Sequence, residues 1–323
     1  MEPGESGIAT MRSFKSSSDC FTDMIRVPGG TFLMGSNDFY PEERPVHQVS
    51  VESFWIDDHP VTNAEFKSFV DETGYVTVAE RVPDPAVYPD AEPAILVAGS
   101  LVFEPPSGAV RRSDFRAWWS YVPGACWRHP RGPDSTCEGR ADHPVVHIAY
   151  EDAESYATWT RKGLPSEAEW EFAACGGLEG AVYVWGNEFA PDDRVLANIW
   201  QGEFPWQNLK EDGIERTSSI RSFPPNGYGL FDMAGNVWEW THSEFRPNHS
   251  PMQVKSCCVP RRYSGRDEPP SKGNALPPKV LKGGSHLCAP NYCLRYRPAA
   301  RQPQTVDSAA CHIGFRCILR EPK

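Results

Sequence analysis

No apolar run in this 323-residue chain reaches the length needed to cross a membrane. No basic leader with a continuous apolar core opens it. The first twenty residues, MEPGESGIATMRSFKSSSDC, are small and polar, and residues 1–23 read as a disordered lead. Basic clusters are also missing. With 32 Lys and Arg against 43 Asp and Glu the net charge is −11, which argues against a surface built to neutralise nucleic-acid phosphates. The ten cysteines are too sparse for a disulfide scaffold, so without an export signal the expected compartment is a reducing cytoplasm. A monomer is expected. There is no dinucleotide-binding glycine pattern, phosphate loop, HExxH helix or nucleophile elbow, so none of those chemistries is indicated.

What is present is packing material and punctuation. Aromatic residues make up 12% of the chain, including 11 tryptophans, and 26 glycines stand beside 31 prolines. Such a composition predicts a core large enough for one domain, rich in loops and modest in regular structure. No internal repeat or domain boundary is visible, so residues 24–320 are read as a single domain.

Residues 24–36 alternate around Gly29-Gly30 as strand, turn and strand, and His47 to Ile56 continues in a strand-like manner. Thr62 and Glu65 have capping-box spacing, Phe66, Phe69 and Val70 share a helical face, and Gly74 stops the run. Residues 80–125 read as an irregular insertion whose Trp118-Trp119 pair belongs to the core. A second helix is predicted over 151–161 with Ala153, Tyr156 and Ala157 inward. A third follows Pro165, opened by Ser166 and Glu169, packed by Trp170, Ala173 and Ala174, and ended by Gly176-Gly177. Beyond residue 178 only loops and short strands are expected, and residues 243–279, with Cys257-Cys258, read as a long surface loop.

The chemistry concentrates in KGGSHLCAPNYCLRYRPAARQPQTVDSAACHIGFRC, residues 282–317. Cys288 and Cys293 lie five apart, and Pro290 between them disfavours a helix, so the segment is expected to turn and bring the sulfurs together. Gly283 and Gly284 permit a close backbone approach, and Arg295, Arg297 and Arg301 would favour thiolates. Two converging thiols leave three readings open: a structural disulfide, a redox dithiol without CxxC spacing, or a soft-metal site. Two sulfurs fall short of a tetrahedral zinc set but suffice for Cu(I).

This segment resembles the active-site region of the formylglycine-generating enzymes, or sulfatase-modifying factors. The resemblance extends through IRVPGGTFLMGS, HPVTNAEFKSFVDETGYVT, WRHPRGPDS, HPVVHIAYEDA, LPSEAEWEFAA, ANIWQGEFP and PPNGYGLFDMAGNVWEWT, nearly the whole chain. It implies an α+β fold of low regular structure, C-type-lectin-like, in one compact domain. It implies a copper-dependent oxidase that converts the cysteine of a Cys-x-Pro-x-Arg motif in an unfolded sulfatase polypeptide to Cα-formylglycine, using O2 and a thiol reductant. Cys288 and Cys293 would hold Cu(I), with Ser285 orienting a polar ligand, Trp238 walling the pocket, and Tyr292 donating a hydrogen bond or packing. Two structural calcium sites are implied, one at Asn198, Ile199, Asp212 and Ile214, the other at Asp232, Gly235, Val237 and Glu239. His286 and His312 are not expected to ligate metal, and Cys311 is read as incidental. The secreted relatives carry extra disulfide cysteines where this chain has Ala157 and Pro298. Relatives with the same fold also include iron-dependent enzymes and silent binding modules. The former would want a His-rich metal helix and the latter would lack one or both of the two cysteines.

Overall fold

Caps decide where the few helices begin and end. In the computed structural model, which describes residues 23–89, 91–92, 96–249 and 277–321, α1 spans Asn63–Thr73. The Thr62 hydroxyl accepts from the Glu65 amide, the Glu65 carboxylate accepts from the Thr62 amide, and Gly74 closes the helix at φ 69°. Ser166 and Glu169 open α3, Glu167–Cys175, in the same way, and Gly176 ends it at φ 59°. α2, Tyr150–Trp159, begins at Ala149, which has no side-chain acceptor. Asp152 satisfies the Ala149 amide instead, at 2.9 Å.

Phe66 of α1 stacks on Tyr156 of α2 at 5.9 Å and meets Trp127 and Phe315 edge-on. Phe66 and Phe315 are fully buried, each contributing about 1.5–3 kcal/mol by leaving water. Among the described residues no helix is long and apolar enough to cross a membrane.

Four small sheets complete the frame among the described residues. β1 (Met24–Val27), β4 (Phe54–Asp57) and β11 (Ile318–Arg320) form an antiparallel sheet with β4 central, joining both ends of the described chain. β2 (Gly30–Met34) pairs with β3 (His47–Val51). The strand–turn–strand at 24–36 is therefore no hairpin: its two strands enter different sheets. His47 to Ile56 is likewise two strands, broken at Glu52-Ser53. The 80–125 insertion is less irregular than its composition predicts. β5 (Gly99–Phe103) pairs antiparallel with β6 (Trp119–Pro123), which buries Trp118 beside Phe103 and Phe204 in a second apolar cluster.

The sheet that positions the cysteines contains β7 (Trp238–Glu244), β8 (Lys279–Lys282), β9 (Gln302–Gln304) and β10 (Ile313–Gly314), in the order β10-β7-β8-β9. Glu239 faces Lys282 across β7 and β8, so Trp238 at the head of β7 lies close to the exit of β8. Buried ion pairs tie α3 to this sheet and to the chain beyond it: Lys282 reaches Glu171 at 2.7 Å and Arg301 reaches Glu167 at 2.6 Å. Arg301 therefore serves the scaffold rather than the thiols, which corrects the sequence reading. Residues 1–22 of the expected 1–23 lead and most of the 243–279 loop (250–276), with Cys257 and Cys258, lie outside the described residues, whereas Asp23 is in place and its carbonyl accepts from the Asp58 amide at 2.9 Å.

Candidate active site

β8 is followed by Gly283 and Gly284, both in the left-handed region at φ 89° and 71°. A Cβ on Gly284 would stand 2.7 Å from the Arg295 carbonyl and one on Gly283 3.0 Å from the Trp170 ring. Only glycines let the chain fold back here and run beside its own later segment. Past them the loop tightens twice: the Cys288 amide donates to the Ser285 carbonyl at 2.8 Å, and the Tyr292 and Cys293 amides donate to the Ala289 carbonyl at 3.0 and 2.8 Å. The Trp200 amide fixes the Cys288 carbonyl from outside at 2.9 Å.

These turns place the two sulfurs 3.2 Å apart. A disulfide would require about 2.05 Å, so the pair stands as two free thiols in contact. Cys288 and Cys293 are 2% and 9% exposed, beneath the exposed rim of Pro290 and Tyr292. Burial pushes the Cys288 thiol well above its ordinary range. The hydrogen bond from Cys288, followed by the charge of Arg295, brings Cys293 down to about 6 despite its burial. The pair thus shares one proton more readily than it holds two. Of the three arginines expected to bias the thiols, Arg295 does so. Arg297 is buried against Glu43 and, like Arg301, is structural.

The other expected residues are distributed as follows. Ser285 is buried; its amide approaches the Cys288 sulfur at 3.5 Å and its hydroxyl accepts from the Leu287 amide at 3.2 Å. Trp238 is 3% exposed, shares the apolar cluster that contains both cysteines, and donates its amide to the His312 carbonyl at 2.8 Å. Tyr292 stacks flat on Phe204 at 4.2 Å and edge-on to Trp118 at 6.3 Å, so its ring packs as a ledge at the rim. His286 Nδ1 donates to the Asn236 carbonyl at 2.9 Å, and burial lowers its pKa to about 4. Cys311 accepts from the Phe103 amide at 3.2 Å within the second apolar cluster, a packing role.

Sequence reasoning missed the strap that holds the loop from above. Tyr40, Glu42 and Glu43 come from the segment between β2 and β3. The Tyr40 hydroxyl accepts from the Leu294 amide at 3.0 Å, its ring underlies Arg295 at 3.9 Å, and Glu42 accepts from Arg295 at 2.6 Å. Glu43, fully buried, receives both terminal nitrogens of Arg297, whose guanidinium lies over Phe39 at 3.6 Å. The one available signal was charge complementarity: the acidic PEERP run answers the basic RYRPAAR run.

The donor set tests each implied metal. Two sulfurs in contact, one already inclined to ionise, fit a soft ion of low coordination number. At the first calcium set, Asn198 is buried and bridges to Gly235, while Asp212 accepts from the Gln201 side chain at 2.9 Å and from the Ile214 amide at 2.9 Å. The 208–214 loop is thereby laced to the segment that begins at Asn198, and Asp212 is exposed and held only by neutral donors, so its carboxylate remains able to exchange them for a hard cation. The second set does not fit. Both Glu239 oxygens are engaged in a fully buried fork with Arg316 (2.7 and 2.8 Å), and Trp170 Nε1 adds a third bond at 2.7 Å. Asp232 is likewise taken up by the Arg221 amide and Asn236. Among the described residues no cluster of three His, Cys, Asp or Glu side chains forms a metal cage.

A family model described as a sulfatase-modifying factor enzyme 1-like domain matches residues 10–321. The formylglycine-generating enzyme of Mycobacterium tuberculosis is 52% identical over 299 residues, 92% of this chain and 97% of that one. The inactive C-alpha-formylglycine-generating enzyme 2 of Bos taurus is 38% identical over 300 residues, 91% of this chain and 87% of that one. PvdO from Pseudomonas aeruginosa has a similar fold, with a TM-score of 0.60 at 22% identity over 92% of this chain and 94% of that chain.

Proposed function

The chain belongs to the sulfatase-modifying factor enzyme family, and from that premise we propose that it is an oxidoreductase that converts a cysteine of an unfolded sulfatase polypeptide, in a Cys-x-Pro-x-Arg motif, to Cα-formylglycine. Membership alone does not carry the activity, since one relative is described as inactive. The observation that does is the 3.2 Å approach of Cys288 and Cys293.

The overall change removes sulfur from the client side chain and leaves an aldehyde. One O2 and two electrons from external thiols enter; sulfide, water and the oxidised reductant leave. Cys288 and Cys293 would hold Cu(I), which when bound supplies the oxygen activation that no side chain provides. The chain's own residues do the rest. Arg295 supports negative charge on Cys293 and is itself held by Glu42 and Tyr40. Trp238 is buried in the same core as the pair, and its role would be to wall the pocket against bulk water. Ser285 fixes the turn leading to Cys288, and Tyr292, backed by the buried Phe204, presents a flat aromatic ledge over which an extended peptide would lie. We further propose a structural calcium at Asn198, Ile199, Asp212 and Ile214, and a reducing compartment, in keeping with the free thiols of the described cysteines.

The test is mass spectrometry of a Cys-x-Pro-x-Arg peptide incubated with the protein, Cu(I), O2 and a thiol. Aldehyde formation that requires copper and both cysteines is expected. Absence of aldehyde under all these conditions would refute the assignment.

A further inference from the structure

Away from the cysteines, the segments 131–143 and 213–222 enclose an open cleft of about 430 Å³. Arg131, Arg140, His143 and Arg216 line it, on a protein whose net charge is −11. One carboxylate, Glu215, is among the lining groups, and Lys210 already neutralises it at 3.0 Å. A second, Glu104, touches both Arg131 (3.4 Å) and Arg216 (3.2 Å) and offsets one of them. Among the described residues Arg140 forms no ion pair. Three guanidinium groups stand against Glu104 and against the Asp142 carboxylate that acts on His143, an excess of one positive charge.

The geometry of these cations is partly fixed. Arg216 is mostly buried, with 15% of its side chain exposed, and is anchored by donating to the Phe103 carbonyl at 3.2 Å. His143 is oriented by a contact between its Nδ1 and the Thr217 hydroxyl at 3.1 Å, and burial lowers its pKa. Ser218, Ser219 and Ser222 add hydroxyls along one wall. A fixed guanidinium at the floor, freer ones at the mouth and hydroxyls between them match the several acceptor oxygens of a tetrahedral oxyanion. The volume falls in the range of small-molecule sites and exceeds what a bare ion needs.

We propose that this cleft binds a small phosphate- or sulfate-bearing molecule, its oxyanion held by Arg131, Arg140 and Arg216. The site is separate from the copper chemistry and does not depend on it. Ile214 of the proposed calcium set itself lines the cleft, so the binding test is run on the full chain with calcium present. Titration calorimetry and phosphorus NMR with inorganic phosphate, inorganic sulfate and glycerol 3-phosphate serve as readouts. One saturable site is expected, weakening as sodium chloride is raised. Affinity should fall about tenfold in Arg140→Gln and further in the Arg131→Gln/Arg140→Gln double variant. Tighter binding of the monoester assigns the site to an esterified ligand, and equal binding assigns it to the free ion. Failure of all three probes to saturate, or an unchanged affinity in a folded double variant, would overturn the proposal.

Discussion

Replacing Arg297 by methionine should unfold much of the margin on which this protein stands. Arg297 is 1% exposed and Glu43 is fully buried. The substitution removes two hydrogen bonds to Glu43 and one, from Nε at 2.7 Å, to the Leu294 carbonyl. Methionine retains some apolar contact with Phe39, but it leaves a carboxylate in the interior with no counter-charge. Stranding one member of a buried pair costs about 3–5 kcal/mol, against a total stability of about 5–15 kcal/mol for an ordinary domain. The double variant Glu43→Leu/Arg297→Met removes both charges and should recover a large part of that loss. Urea denaturation followed by tryptophan fluorescence measures both quantities. Native-state titration of the Cys288 and Cys293 thiols should show faster modification in the single variant, because the strap over the cysteine loop has lost its anchor. A single-variant cost under about 1 kcal/mol, or a double variant as damaged as the sum of its parts, would refute the reasoning.

Cys288→Ser and Cys293→Ser should each abolish aldehyde formation while circular dichroism and melting temperature stay near the parent values; turnover in either variant would remove the pair from the mechanism. Gly284→Ala places a Cβ against a backbone carbonyl at positive φ, so a loss of about 2 kcal/mol or more is expected in denaturation experiments, and an unchanged midpoint would contradict the turn described here. Burial lowers the pKa of His147 to about 4 and that of His312 to about 3, so both are held neutral when folded, whereas an unfolded histidine takes up a proton near 6.5. Their contribution is present above pH 6.5 and drains away as pH falls toward 4, by about 3 kcal/mol for His147; denaturation midpoints at pH 7, 6 and 5 should decline, and a flat series would argue against it. Chelation of calcium should lower the melting temperature of the parent and have little effect in Asp212→Asn; equal responses would dismiss Asp212 as a ligand.

Local signals were legible where one short segment decides the outcome. The two capping boxes, the glycine stops and the cysteine turn all depend on residues within a few positions of one another, and each forms as its spacing predicts. What escaped is long-range pairing. Nothing in IRVPGGTFLMG says that its two strands enter different sheets, because the partners Trp55 and Val49 lie far along the chain and alternation does not name a partner. The β5–β6 pair was hidden by the prolines and polar residues between its strands. The three arginines after Cys293 read alike, yet each found a different carboxylate, and only Arg295 remained beside a thiol. Glu239 is the sharpest case: a carboxylate in a plausible calcium set is consumed by Arg316, seventy-seven positions away.

The strap described above has a consequence for biosynthesis. Tyr40 and Glu43 meet Leu294 and Arg297 across 254 residues of chain. The strap residues are synthesised 254 positions ahead of the loop they clasp, so the thiol loop can be closed only once its own segment has emerged. The cell thus receives this catalyst only as a finished article, with no competent half-made form along the way.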